Sequence, residues 1–401
     1  MAETGVRGAY RFGPFQLDVR ERRLSRGSEV IRLRLKVFDT LCVLVENAGR
    51  LVTKQELLDT VWPETTVEEN NLNHNVSVLR KALGENATGQ QYIETVPRVG
   101  YRFAAAVETA EPRAEATVAS AAKARQEIRY CTTSDGVRLA YASIGSGPLL
   151  VKASNWLTHL DFEWGSPIWG HWWSALSLHH RVVRHDERGN GMSQRDVSDV
   201  SFDTWVRDLE TVVDAAGLDR FPLLGISRGG PIAIAYAVKH PERVTHLVLY
   251  GAFAAGLNHT GKPHEIEARR ALASLMRLGW GLNNPAFCKV FTCRFIPEAT
   301  PEHEQWFDEL QRVSTSPENA ARLMDRDDEI DVRPLLSQVK TPTLVIHCDR
   351  DDAVPAEKGR QIAAAIPNAR YVSLPGANHL MLEEEPAWAM FLEELGLFLN
   401  W

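Results

Sequence analysis

No apolar run in the 401-residue sequence approaches the length of a membrane span, and Met1 is followed by AETGVRGAY rather than a hydrophobic signal core. A membrane partner and a secretory route are therefore not expected, and the reading is cytoplasmic. Cysteine is scarce: Cys42, Cys131, Cys288, Cys293 and Cys348 are scattered, with no CxxC pair and no Cys/His cluster. That spacing excludes a disulfide framework and a metal site, and no cofactor motif stands out. Positive charge is not in excess either, the net value being -7. The first 108 residues hold 15 Lys+Arg against 14 Asp+Glu, and the rest 30 against 38. The larger part is too acidic for general adhesion to nucleic acid, so DNA binding must come from a local surface. Internal repeats and low-complexity segments are also missing, which excludes a solenoid and extensive disorder.

What remains is a soluble globular composition, 44% hydrophobic and 24% charged, in a chain too long for one core. The seam is TAEPRAEATVASAAKARQE, an Ala-rich stretch without large apolar side chains. It divides the chain into residues 1–108, a linker over 109–126, and a domain over 127–401.

The first part opens with strand-like YRFGPFQLD and EVIRLR, then three helical stretches: VFDTLCVLVENAG, TKQELLDTVW and VEENNLNHNVSVLRKALG. Thr53 and Glu56 stand at capping-box spacing, and YIETVPRVGYRF reads as a hairpin turning at Pro97 to Gly100. That is a winged-helix order. In the third helix Leu72, Val76, Leu79 and Leu83 share one arc, so Asn70, Asn71, His74, Ser77 and Lys81 belong to the rest of its surface. Amides, an imidazole and a hydroxyl both donate to and accept from base edges, whereas Arg80, Arg98 and Arg102 suit phosphates. An ordinary solvated helix face is the competing reading.

The run LVTKQELLDTVWPETTVEENNLNHNVSVLRKALG with YIETVPRVGYRF resembles the winged-helix effector domain of OmpR/PhoB-type transcriptional regulators, over about the first 105 residues. The resemblance implies double-stranded DNA as partner of residues 1–108, with the third helix in the major groove and Arg98 or Arg102 on the backbone. It also makes a homodimer on paired half-sites reasonable. Asparagines stand where many such domains carry arginine or aspartate, and no phosphoacceptor receiver domain precedes the segment.

From Ile128 strands alternate with helices, as in a parallel sheet covered on both faces, and residues 253–334 interrupt the alternation as a helical cap. GISRG follows the apolar strand FPLL and precedes the small-residue helix PIAIAYAVKHP. A strand-turn-helix with glycines is what a nucleophile elbow requires, the plain alternative being a Gly-rich turn with an N-capping serine. Serine needs a base and an orienting acid, and HCDRDDAVP and PGANHLMLEEEP supply them downstream. His379 is the base; Asp351 is preferred as acid over Asp349 and Asp352.

GISRG, HDERGNGMS and HPERVTHLVLYG together resemble the α/β-hydrolase fold superfamily over nearly all of residues 127–401. The resemblance implies Ser227 as nucleophile, His379 as general base then acid, and Asp351 as its orienter. The backbone amide of Arg228 would be one oxyanion donor; Asp186, Arg188 and Gly189 would buttress the elbow. A serine nucleophile argues against dehalogenase and epoxide-hydrolase chemistry and leaves ester, lactone or thioester cleavage. VKASNWLTHL departs from the family, which often carries His-Gly after this strand, so the second oxyanion amide is that of Asn155 or Trp156. Among Trp156, Trp164, Trp169, Trp172 and Trp173, packing is expected for most and Trp156 is the pocket candidate. The expected function is a one-component regulator whose serine hydrolase, carboxylic-ester type, cleaves or senses a small ester or lactone. A plain esterase with a vestigial or oligomerising winged helix and a catalytically silent sensor are the alternatives.

Overall fold

The computed structural model of the chain describes residues 9–19, 23–26, 29–31, 33, 35–61, 69–84, 92–97, 99–109, 126–280 and 285–401. It divides into two compact units, Met1–Ala119 and Ser120–Trp401. Apart from its end residues Thr109 and Gln126, the expected linker lies outside the described residues.

In the N-terminal unit, β1 (Ala9–Phe12), β2 (Phe15–Asp18), β3 (Arg23–Arg26) and β4 (Glu29–Ile31) form an antiparallel meander. Helix α1 (Leu35–Glu46), strand β5 (Leu51–Thr53), and helices α2 (Lys54–Val61) and α3 (Glu69–Ala82) follow. The hairpin β6 (Ile93–Val96) and β7 (Gly100–Phe103) completes a three-stranded sheet on β5, and β8 (Glu108–Thr109) returns to pair with β1. The capping box of α2 is reciprocal: Glu56 N donates to Thr53 Oγ1 at 3.2 Å, and Thr53 N to Glu56 Oε2 at 2.7 Å. Strand β5 escapes the sequence reading because three residues carry no period. Gly100 makes its pairing with β7 possible, since a Cβ there would lie 2.0 Å from Val52 O. Leu72, Val76 and Leu79 of α3, with Leu83 just past its end, are buried with Phe38 and Leu41 of α1. Asn75 lies on that buried face and donates to Lys36 O at 3.0 Å and Thr40 Oγ1 at 3.1 Å, fastening α3 to α1.

The second unit is built on an eight-stranded sheet of β9 (Glu127–Thr132), β10 (Arg138–Ile144), β11 (Leu149–Lys152), β12 (Arg181–His185), β13 (Phe221–Ile226), β14 (Val244–Tyr250), β15 (Thr343–Cys348) and β16 (Arg370–Leu374). The strand order is β16-β15-β14-β13-β11-β12-β10-β9. Only the β9, β10 and β12 pairings are antiparallel. Helices α4 (Leu160–Trp164), α5 (Gly170–His179), α6 (Phe202–Ala215) and α7 (Gly229–Lys239) connect the first six strands. The amphipathic α6 buries Trp205, Leu209, Val212 and Val213 as its spacing predicts. Trp169, Trp172 and Trp173 pack in the core of the opposite face.

The expected cap comprises α8 (Leu257–Thr260), α9 (Pro263–Gly279), α10 (Pro285–Phe295), α11 (Pro301–Ser314) and α12 (Pro317–Asp327). Each of the last four begins at a proline, whose fixed φ and missing N–H suit the first helical position. The bridge Ala255 to Asp331 closes the cap at its root. Helices α13 (Arg333–Leu336), α14 (Ala356–Ala365) and α15 (Pro386–Leu399) complete the fold.

Candidate active site

Ser227 stands between β13 and α7 with φ +52°, the left-handed region that L side chains rarely adopt. Its glycine neighbours are what make this turn possible. A Cβ on Gly225 would lie 2.6 Å from Gly229 O, one on Gly229 2.9 Å from Ser154 O, and one on Gly230 2.4 Å from the Ala252 Cβ. The turn is pinned by Ser227 N donating to Tyr250 O at 2.8 Å. Close approach of Gly229 to Ser154 O, with β11 and β13 paired, brings the Arg228 amide beside the loop that carries Asn155 and Trp156.

His379 is fully buried, and its Nδ1 lies 2.6 Å from Asp351 Oδ2. Its backbone is held at both ends, N donating to Phe295 O at 2.9 Å and O accepting from the Tyr250 hydroxyl at 2.9 Å. Gly251, with φ +56°, lets the imidazole pack closely, since a Cβ there would lie 2.8 Å from His379 Cε1. Asp351 Oδ1 accepts from the amides of Ala353 and Val354 at 2.9 and 3.0 Å. Burial opposes the Asp351 charge, but His379, a His347 hydrogen bond and the Val354 amide outweigh it and hold the carboxyl well below its usual range. Asp349 instead accepts from Gly376 N, and Asp352 is exposed. With Nδ1 engaged, His379 Nε2 is buried and has no partner among the described residues, and His379 lines one small cavity with Ser227, Asn155 and Trp156.

Sequence reasoning missed three groups that support this arrangement. His347, on β15, donates through Nε2 to Val354 O at 2.7 Å and lies 3.4 Å from Asp351 Oδ2. Lys152, at the end of β11, is buried beside the stacked Trp169 and Trp173, 6.0 and 5.8 Å from their ring centres, and donates to Ala153 O at 3.2 Å and to Asn155 Oδ1. Burial pushes its pKa down to about 8, against the pull of Glu163, Asp186 and Glu187. The Arg228 side chain, buried under the elbow, stacks over Trp205 at 4.5 Å and joins Glu187 to Asp327 of the cap, the latter at 3.0 Å. Desolvation raises Glu187 to about 8. Asp186 accepts from the amides of Leu160 and Met192, and Arg188 forks onto Asp208 at 2.6 and 2.7 Å.

A cleft of about 750 Å³ opens onto Ser227 between the sheet and the cap. Trp156 lines it, stacked 5.3 Å from Phe295, whereas Trp169, Trp172 and Trp173 are core residues and Trp164 packs partly buried.

In the N-terminal unit, Ser77 and Lys81 are exposed on α3. Asn70, Asn71 and His74 lie on the same helix, but their side chains, and Arg98 entirely, are outside the described residues. Arg80 donates to Ile93 O and Thr95 Oγ1, both at 2.7 Å, and Arg102 pairs with Glu94 at 3.0 Å. These two guanidiniums brace the hairpin in this structure, a role the sequence reading did not anticipate.

Residues 162–386 match the family model for the alpha/beta hydrolase fold, and residues 27–103 that for the transcriptional regulatory protein C-terminal domain. The chain belongs to the α/β-hydrolase fold family, with a transcriptional regulatory domain fused before it. It is 29% identical to a putative carbamate hydrolase (RutD) of Azorhizobium caulinodans, covering 60% of this chain and 88% of that one. It is 28% identical to the pyrrolizixenacetamide deacetylase of Xenorhabdus hominickii, covering 62% and 90%. Among solved structures, a hydrolase from Pseudomonas aeruginosa superposes with TM-score 0.58 at 28% identity, covering 69% and 99%. An enol-lactonase from Burkholderia xenovorans superposes with TM-score 0.56 at 25% identity, covering 68% and 100%.

Proposed function

We propose that the chain is a DNA-binding regulator whose second domain is a serine hydrolase acting on a small ester or lactone. Ser227 attacks the carbonyl carbon; His379 Nε2 takes its proton and returns it to the leaving oxygen; Asp351 holds the imidazole in the tautomer that makes this possible. Water then repeats the sequence on the acyl-enzyme. The Arg228 amide, with that of Asn155 or Trp156, receives the oxyanion, and each such donor contributes about 2.7–4 kcal/mol. The observation that carries the reading is the buried His379–Asp351 pair, which leaves an Nε2 without a partner among the described residues on the cavity shared with Ser227. Relatives named for carbamate, acetamide and enol-lactone substrates support acyl chemistry.

The regulatory half rests on the covalent fusion: α3 enters the major groove with Ser77 and Lys81, joined by Asn70, Asn71 and His74, while the hairpin follows the backbone. Two assays test the halves separately. A fluorophosphonate should label wild type on the peptide containing Ser227; labelling of any other residue in its place contradicts the nucleophile. Full-length protein should bind a specific DNA fragment selected from random duplexes at low salt, with affinity shifted by an ester or lactone. Non-specific binding alone, with no ligand effect, contradicts the regulatory reading.

A further inference from the structure

Three arginines line the cleft that opens onto Ser227, and two already have carboxyl partners. Arg228 is paired with Glu187 and Asp327, and Arg269 lies 3.2 Å from Asp328. Arg294 is different. It stands on α10 one residue before Phe295, whose carbonyl accepts from His379 N and whose ring lies 5.6 Å from the His379 ring. Its contact is a carbonyl, Ala353 O at 3.5 Å, and among the described residues no carboxylate oxygen lies within ion-pair distance of it. Arg294 is itself exposed at the cleft; desolvation by the atoms crowded around it and the neighbouring Arg269 disfavour its charge, partly offset by Asp351, Asp352 and Asp328. Asp351 is committed to the imidazole, Asp328 to Arg269, and Asp352 is exposed. A second cation, Lys358, enters the same cleft from α14 and donates to Thr260 Oγ1 at 2.8 Å. The same cleft is lined by the stacked Trp156 and Phe295, and by Glu265, whose charge acts on Lys358.

We propose that the cleft takes a carboxylate-bearing acyl substrate, whose scissile carbonyl meets Ser227 and whose remote carboxylate is held by Arg294 with Lys358. The proposal rests on the hydrolase reading and adds the substrate class. An aromatic wall and, in the same cleft, a cation without a carboxylate partner among the described residues fit a short carbon chain ending in an acid. The planar guanidinium matches a carboxylate bidentately, which an ammonium does not, so Arg294 is the specificity-determining residue and Lys358 an auxiliary charge. The volume suits one small molecule.

The test compares 4-nitrophenyl hexanoate with mono-4-nitrophenyl adipate, acyl chains of equal length that differ in a terminal methyl or carboxylate. Full-length wild type should prefer the adipate ester by about ten-fold or more in kcat/KM, as expected for one charge-assisted pair. Arg294→Gln should bring the ratio near one through KM, Arg294→Lys should restore part of it, and Asp352→Asn should increase it by removing a like charge from the rim. A wild type that prefers the neutral ester, or a ratio unmoved by Arg294→Gln in a protein with wild-type Tm, overturns the proposal. If neither ester turns over, the hydrolase reading fails by itself, and adipate binding to wild type and Arg294→Gln is followed by tryptophan fluorescence. Binding weakened about ten-fold in the variant sustains the carboxylate site, and no binding to wild type overturns it.

Discussion

Replacing Asp351 with asparagine changes one oxygen to an NH2 group without altering shape, and the structure makes that change costly. The native carboxylate accepts from three donors, the amides of Ala353 and Val354 on Oδ1 and His379 Nδ1 on Oδ2, with His347 Nε2 a further 3.4 Å contact on Oδ2. An ionised carboxylate is acceptor-only and satisfies all of them, whereas an amide must turn its own N–H groups against one pair. If the oxygen keeps the two backbone amides, the NH2 group meets His379 Nδ1. The imidazole then relaxes by moving its proton to Nε2, and the base facing Ser227 disappears. Asp351→Asn should lower kcat by about 10³–10⁴-fold, with KM little changed. Losing the charge-assisted bond should also cost about 1.5–3 kcal/mol of stability. The native carboxyl titrates well below its usual range, so its stabilisation is complete above the unfolded value and fades only as pH falls through the folded one. Wild type should therefore exceed the variant by a constant margin from pH 5 to 8. Initial rates on a 4-nitrophenyl ester and urea unfolding measure both effects. A variant within ten-fold of wild-type kcat would refute the assignment of Asp351 as orienter.

Ser227→Gly removes a side chain from a φ of +52°, so stability should rise by about 1 kcal/mol in urea unfolding while ester turnover is lost. Glu187 is raised to about 8 by burial despite Arg228. Its folded form holds a proton that the unfolded form releases above pH 4.5, so the group lowers wild-type stability as pH rises from 4.5 to about 8. The Tm of Glu187→Gln should accordingly fall less than that of wild type between pH 6.5 and 8; parallel curves contradict the assignment. Gly100→Ala drives a Cβ into Val52 O and should destabilise the N-terminal unit by about 1–3 kcal/mol, read as an earlier unfolding transition. Lys81→Ala should weaken binding to the selected fragment more than to unrelated duplexes, by about 1–3 kcal/mol of discrimination, as loss of a base-edge contact in the major groove does.

Most of the fold was legible because period carries it. The apolar arcs of α3 and α6 predicted their buried faces, and the alternation of apolar strands with helices predicted the sheet, its capped interruption included. The candidate site was legible as an order of motifs, since GISRG, the aspartate loop and the histidine loop each sit at a strand end. What the sequence concealed are pairings between distant residues. Arg228 meets Glu187 and Asp327, 41 and 99 residues away, and no spacing rule links them. Lys152 reads as an ordinary solvated lysine until the fold sets two tryptophans beside it. His347 hides in an apolar strand, where it passes for a core residue. The internal partners of Arg80 and Arg102 are hidden because a basic side chain near a hairpin carries no sign of an acceptor within the fold.

The central claim is that Ser227 turns over a carboxylic ester with His379 and Asp351 behind it. A panel of 4-nitrophenyl esters and lactones assayed with wild type and Ser227→Ala tests it most directly. Measurable turnover by wild type that disappears in Ser227→Ala, in a protein of unchanged Tm, is the predicted result; equal turnover by both would contradict it.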